Sequence, residues 1–153
     1  RDAAITAYAD LRDVTSGEIL REGADATFLA VGAVNGACLD AAERLAEEGY
    51  SVGVADARHV KPLDAALLES LADRPLITVE ENVLAGGFGS AVLEYFADTG
   101  NLDRISVHRV GIPDTFVEQG GREQQLARFG LHAGGLAQTA RVFLRNRVAQ
   151  VVK

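Results

Sequence analysis

The sequence contains no methionine among its 153 residues, and it opens on Arg1. A complete cytoplasmic product ordinarily begins with Met, and no secretory segment is present that would explain its removal. The chain is therefore expected to be a piece of a longer polypeptide. It has one cysteine, Cys38, which excludes an internal disulfide. Positive charge is scarce, because 15 Lys and Arg against 22 Asp and Glu leave a formal net charge of −7. A nucleic-acid groove requires the opposite balance, so DNA and RNA are discounted as partners. No apolar run approaches the roughly 20 residues that cross a bilayer, and no signal peptide is visible. A membrane partner is likewise discounted, and a cytoplasmic location is expected.

What remains is a chain with 48% hydrophobic residues, of a size that suits one domain. At this length about 68–70% of the unfolded surface can be buried, so an ordinary core needs no disulfide or metal. Four short apolar runs read as strands: Thr27–Ala33, Ser51–Ala57, Leu76–Glu80 and Ile105–Val110. Helical patterns lie between them. In Gly36–Glu48 the residues Ala37, Cys38, Ala41, Ala42, Leu45 and Ala46 share one face, with Asp40, Glu43, Arg44, Glu47 and Glu48 opposite. Strand, helix and strand in this rhythm predict a parallel sheet covered on both sides. Asp64 is placed to cap a helix over Ala65–Leu71, with Leu63 and Leu68 as the hydrophobic staple. Gly130 suits a left-handed helix end, with Leu131 packing back against that helix. A last helix is expected over about Ala133–Arg145, with a weak start because Gly134 and Gly135 fall in its first turn.

The stretch that invites a chemical reading is VEENVLAGGFGSAVLE, Val79–Glu94. An apolar strand runs into Glu80, Glu81 and Asn82, and then into a glycine cluster, Gly86, Gly87 and Gly89, that opens a helix at Phe88 and Ser90. Such loops cradle phosphate in dinucleotide-binding and P-loop proteins. Here only Gly87-Phe88-Gly89 matches the first fingerprint, Val92 fills its third glycine position, and Gly-Lys-Ser/Thr is absent. Two carboxylates beside the loop would also repel a phosphate. The structural reading outweighs the anion site: glycines let the helix approach the sheet, and Phe88 anchors the loop. Paired carboxylates at a strand's C-terminal end suit acid–base work when one pKa is raised. The plainer reading is that one caps the next turn and the other faces solvent or a partner chain.

His59, expected to end a strand, His108, expected within one, and His132, at the expected N-cap of the last helix, share no metal-ligand spacing, and Cys38 reads as a small buried hydrophobe. Arg58 and Lys61 form a charged corner after the second apolar run, suited either to an anion or to a local ion pair with Asp56 or Asp64. The basic tail Arg141–Lys153 complements a helix C-terminus. No catalytic, cofactor-binding or metal-ligating residue is assigned. Glu80, Glu81, Asn82, Gly86, Gly87, Phe88, Gly89 and Ser90 stand as a candidate interface or anion loop.

Three stretches carry a resemblance: DARHVKPLD (Asp56–Asp64), VEENVLAGGFGSAVLE, and GIPDTFVEQGGREQQLARFGL (Gly111–Leu131). Their order and spacing are similar to those of the C-terminal domain of 1-deoxy-D-xylulose-5-phosphate synthases, over roughly Gly17–Leu144. The looser pattern also resembles transketolases and the β subunits of 2-oxoacid dehydrogenase decarboxylases. The resemblance implies a three-layer α/β/α domain with a five-stranded, mostly parallel sheet whose first strand, near Gly17–Arg21, is antiparallel. It implies a homodimeric transferase using thiamine diphosphate and Mg2+ that condenses pyruvate with glyceraldehyde 3-phosphate and releases CO2, for isoprenoid, thiamine and pyridoxal biosynthesis. The cofactor residues of that family lie in the two preceding domains, and Gly-Asp-Gly does not occur in this chain. The resemblance also implies that the third domain packs against the second and contributes to the dimer contact. The expected division is a linker or domain remnant over 1–16, the domain over 17–145 and a tail over 146–153. Departures from the family pattern are His59 for an aromatic or apolar residue, Gly121 for a capping Ser and His132 for a capping Asp. The rival readings are another transketolase-type thiamine enzyme and a free-standing α/β interaction or ligand-binding module.

Overall fold

The computed structural model of the chain describes residues 16–151. The expected linker over 1–16 therefore lies outside the described residues except for Ser16, as do the last two residues of the tail. Five strands form one sheet: β1 (Glu18–Arg21), β2 (Ala26–Ala30), β3 (Val52–Asp56), β4 (Pro75–Val83) and β5 (Ser106–Ile112). Their order is β1-β3-β2-β4-β5, with β1 antiparallel to β3 and every other pair parallel. The helices are α1 (Asn35–Glu47), α2 (Ala65–Leu71), α3 (Phe88–Asp98), α4 (Arg122–Arg128) and α5 (Ala133–Val151).

Two apolar layers hold the helices to the sheet. On one face Phe28, Val54, Ile77 and Val79 pack with Cys38, Ala41 and Leu45 of α1 and Leu136, Ala140 and Leu144 of α5. On the other, Leu29, Ala55 and Leu76 meet Leu68 and Leu71 of α2 and Phe88, Val92 and Phe96 of α3. Alternation along each strand sorts neighbouring residues onto opposite faces, which produces the α/β/α sandwich. All five residues of β2 are buried, as a central parallel strand covered on both sides requires.

Local signals act as their chemistry dictates. The Asp64 Oδ1 accepts from the Leu67 amide at 3.0 Å, and its Oδ2 accepts from the Gly17 amide at 2.8 Å, so the cap also ties the start of β1 to α2. Gly130 adopts φ +70, and the Leu131 amide returns to the Leu126 carbonyl at 2.8 Å. Three expectations need correction. The strand expected over Thr27–Ala33 ends at Ala30, because Gly32 at φ +84 starts a 3-10 turn over Gly32–Val34. The last helix does not stop near Arg145 but continues to Val151. His59 does not end a strand; β3 stops at Asp56, and the His59 amide bonds the Ala57 carbonyl in the following loop. Gly135 in the first turn of α5 has a packing reason, since a Cβ there would lie 2.4 Å from the Gly130 carbonyl oxygen.

Candidate functional site

In sheet order, the chain leaves β2 toward β3 on one side, while β4 leads to β5 on the other. The reversal falls between β2 and β4, and open α/β sheets place ligands in the crevice outside the strand ends at such a point. A cleft of about 280 Å3 lies there. Val31, Gly32 and Ala33 line it after β2, Glu80, Glu81 and Asn82 at the end of β4, Gly86, Gly87 and Phe88 at the start of α3, and Val60 from the loop after β3. Six of the eight candidate loop residues thus come together, and Gly89 and Ser90 sit just behind them in α3.

The two adjacent glutamates do not form a working pair. Glu80 shares the strand face of Leu76 and points under α3, where it is 1% exposed. Its carboxylate accepts from the Phe88 amide at 2.7 Å and the Gly89 amide at 2.9 Å. These amides are donors that a helix start leaves without intrahelical partners, and the positive end of the macrodipole favours a negative group there. The anion that such a loop would bind is therefore supplied by the chain itself. Glu81 turns the other way, toward α4, and takes two bonds from Arg122 Nη2 at 2.6 and 2.8 Å. Of the plainer expectation for the pair, the cap describes Glu80, whereas Glu81, expected to face solvent or a partner chain, is held in an ion pair across the rim.

The glycines follow from this arrangement. A Cβ on Gly87 would lie 2.2 Å from Glu80 Oε2, and one on Gly89 would lie 2.5 Å from Thr78 Oγ1. Phe88 is 1% exposed and anchors the loop in the layer beneath α3. Ser90 Oγ donates to the Leu84 carbonyl at 2.8 Å and accepts from the Gly86 amide at 3.2 Å. Arg109 of β5 clamps the same loop, donating to Ser90 Oγ at 2.8 Å and to the Leu84 carbonyl at 3.1 Å. Sequence reasoning missed Arg109, Arg122 and Gly111. A Cβ on Gly111 would press on the Glu80 Cγ at 3.0 Å. Arg109 and Gly111, two apart on one strand, share a face, and that period was the available signal.

The remaining candidates sit apart from the cleft. Arg58 pairs with Glu18 of β1 at 2.8 Å, not with Asp56 or Asp64 through its side chain. Cys38 is buried, and desolvation pushes its thiol up to about 12. His108 lies against Phe143, and burial lowers its pKa from the ordinary value. His132 stands before α5 with Nδ1 accepting from the Gly135 amide at 3.4 Å, a long cap. In the basic tail, Arg141 grips Glu48 at the end of α1 through Nε at 2.7 Å and Nη2 at 2.5 Å.

A thiamine diphosphate–Mg2+ group does not fit these residues. Among the described residues no three His, Cys, Asp or Glu side chains gather where they could hold a metal ion. The helix start that would receive a phosphate is filled by the Glu80 carboxylate. Among the described residues, no helix is long and apolar enough to cross a membrane.

Comparison with known proteins agrees with the fold. The family model described as the transketolase C-terminal domain matches residues 15–136. A 1-deoxy-D-xylulose-5-phosphate synthase of Syntrophotalea carbinolica is 49% identical over 135 residues, covering 87% of this chain and 21% of that protein. A synthase 1 of Geobacter metallireducens is 46% identical over 135 residues, with the same coverage. The chain thus spans about a fifth of the length of the curated relatives it matches. Among solved structures, a split-gene transketolase in an inactive β4 tetramer superposes with a TM-score of 0.77 at 32% identity, over 88% of this chain and 44% of that one. The transketolase of Campylobacter jejuni gives 0.58 at 26% identity, over 84% of this chain and 19% of that one. With its five-stranded sheet, its antiparallel first strand and a family match over most of its length, this chain belongs to the transketolase C-terminal domain family.

Proposed function

We propose that this chain is the third domain of a 1-deoxy-D-xylulose-5-phosphate synthase, a cytoplasmic homodimer, and that it serves assembly rather than catalysis. The observation that carries the reading is the 49% identity to a synthase over 87% of the chain. In the whole enzyme, thiamine diphosphate and Mg2+ supply the chemistry that joins pyruvate to glyceraldehyde 3-phosphate with loss of CO2. Those groups would be held by the preceding domains of the same polypeptide, because the present residues offer them no site. The domain itself runs over 17–145, preceded by a linker or domain remnant, and the tail that follows continues α5 as far as Val151. In this reading the glycine loop is architectural. Glu80 fixes the start of α3, Arg109 and Ser90 pin the turn, and the Glu81–Arg122 pair locks α4 beside the cleft. The strand-end edge so built is a surface for contact with the rest of the enzyme.

The test compares the isolated 153-residue chain with the full-length gene product in an assay of CO2 release from pyruvate and glyceraldehyde 3-phosphate. The expected result is activity in the full-length protein alone. An inactive full-length protein that instead transfers two-carbon units between sugar phosphates would favour the second reading, a transketolase-type enzyme. The 32% identity to the split-gene transketolase gives that reading its support.

A further inference from the structure

Between β5 and α4 the chain runs through Pro113-Asp114-Thr115-Phe116-Val117-Glu118-Gln119-Gly120, and all eight residues are exposed. Phe116 is 99% exposed, whereas no other exposed large apolar side chain among the described residues exceeds the 51% of Leu102. Scattered apolar residues that lie on a protein surface need no explanation. Phe116 lies on nothing. The loop that holds it is nevertheless braced: Gln125 Nε2 donates to the Glu118 carbonyl at 2.5 Å, and Gly120 fits against the same amide, leaving a Cβ only 2.7 Å of room. Its far end is tied to the sheet through Arg122 and Glu81. A loop braced at its far end that presents an aromatic ring to water is partly pre-organised for a contact, since less ordering remains to be done on binding.

The geometry points to Phe116 as the anchor by which this domain docks on the preceding part of the synthase polypeptide, in an apolar pocket rimmed by Lys or Arg. This inference rests on the proposed function. Charge selects the occupant. Phe116 is flanked two residues on either side by Asp114 and Glu118, and Arg122 close by is already paired with Glu81. A second copy of this chain, with a net charge of −7, would meet those carboxylates with charge of the same sign. A basic rim would complement them. Length points the same way. The matched relatives are about five times as long as the aligned stretch, so a tethered neighbour is present at high effective concentration, where one aromatic anchor suffices.

Hydrogen exchange over residues 113–121 tests this in the isolated chain and in the full-length gene product, each as wild type, Phe116→Ala and Phe116→Asp. The variants should leave the melting temperature of the isolated chain unchanged, because the ring touches nothing there. In the full-length wild type the segment should be protected, and Phe116→Ala should reduce that protection about 30-fold, the change that corresponds to about 2 kcal/mol. Equal, fast exchange in both proteins overturns the inference, as does protection that appears in the isolated chain and grows with its concentration, the mark of a second copy. Synthase activity is read on the same samples. Activity without protection sinks the docking anchor and leaves the proposed function standing, and protection without synthase activity does the reverse.

Discussion

Glu80 shows how one side chain can settle what a motif is for. A buried carboxylate is tolerated only when its charge is answered by hydrogen bonds, and here the Phe88 and Gly89 amides answer it. Glu80→Gln keeps the shape but can accept only one of those bonds, while its amide N–H2 faces the other donor. The expected loss is about 3 kcal/mol of stability, read as a lower urea midpoint at an unchanged m-value. Asp64 makes a more exposed cap, and its pKa is lowered first by the Leu67 amide and then by that of Gly17. A carboxyl whose folded pKa is depressed contributes its stability above its unfolded value, near 3.8, and loses it as pH falls through the lower folded value. Asp64→Ala should therefore cost about 1–2 kcal/mol at pH 7, and the gap to wild type should shrink as pH falls below 3.8 in urea titrations run at each pH. At Cys38 desolvation keeps the thiol neutral. Iodoacetamide should label it only after denaturant unfolds the chain, which mass spectrometry reads directly.

At the scale of elements, the glycines divide by what surrounds them. Gly87 sits at the close approach of α3 to Glu80 and Val83, so Gly87→Ala must displace a backbone carbonyl or a buried carboxylate. A cost of about 2–3 kcal/mol is expected. At Gly36, near the start of α1, a Cβ would meet nothing within 4 Å beyond its own helix backbone, and Gly36→Ala should stabilise by about 0.5 kcal/mol. Thermal melts of the two variants should move in opposite directions. The helices were legible where caps and periodicity coincide: α2 begins and ends where Asp64 and the following apolar spacing place it, and α1 lies within one residue of its expected span. The end of α5 was not legible, because no breaker follows Arg145 and nothing local marks a stop before Val151. The early end of β2 turned on the positive φ of Gly32, which glycine permits but does not announce.

For the molecule as a whole, stability is distributed from the centre of the sheet outward. β2 is paired on both edges and covered on both faces, while β1 is a four-residue edge strand whose two middle residues are exposed. Amide exchange should follow this gradient: Phe28, Leu29 and Ile77 should exchange only through global unfolding, and the strand Glu18–Arg21 through smaller openings. The edge carrying the glycine loop and the cleft is built on the ends of β2 and β4, so it rests on the most protected elements, and the loop holding Phe116 leaves the neighbouring edge strand β5. That suits a docking surface, which loses affinity when it must be ordered on contact.

The order of elements, the parallel sheet, the caps at Asp64 and Gly130 and the membership of a family were determined by the sequence alone. Each depends on residues close together in the chain or on a pattern that repeats along it. The fates of the candidate residues were decided by the fold. Glu80 and Glu81 are neighbours in sequence, yet strand alternation sends one under α3 and the other to Arg122, 41 positions away. Arg109 reaches the glycine loop from a strand 19 residues beyond Ser90, and Arg58 finds Glu18 rather than the nearer Asp56 or Asp64. Partners separated by so much chain are chosen by which surfaces the packed layers bring into contact. That choice is made only when the core closes.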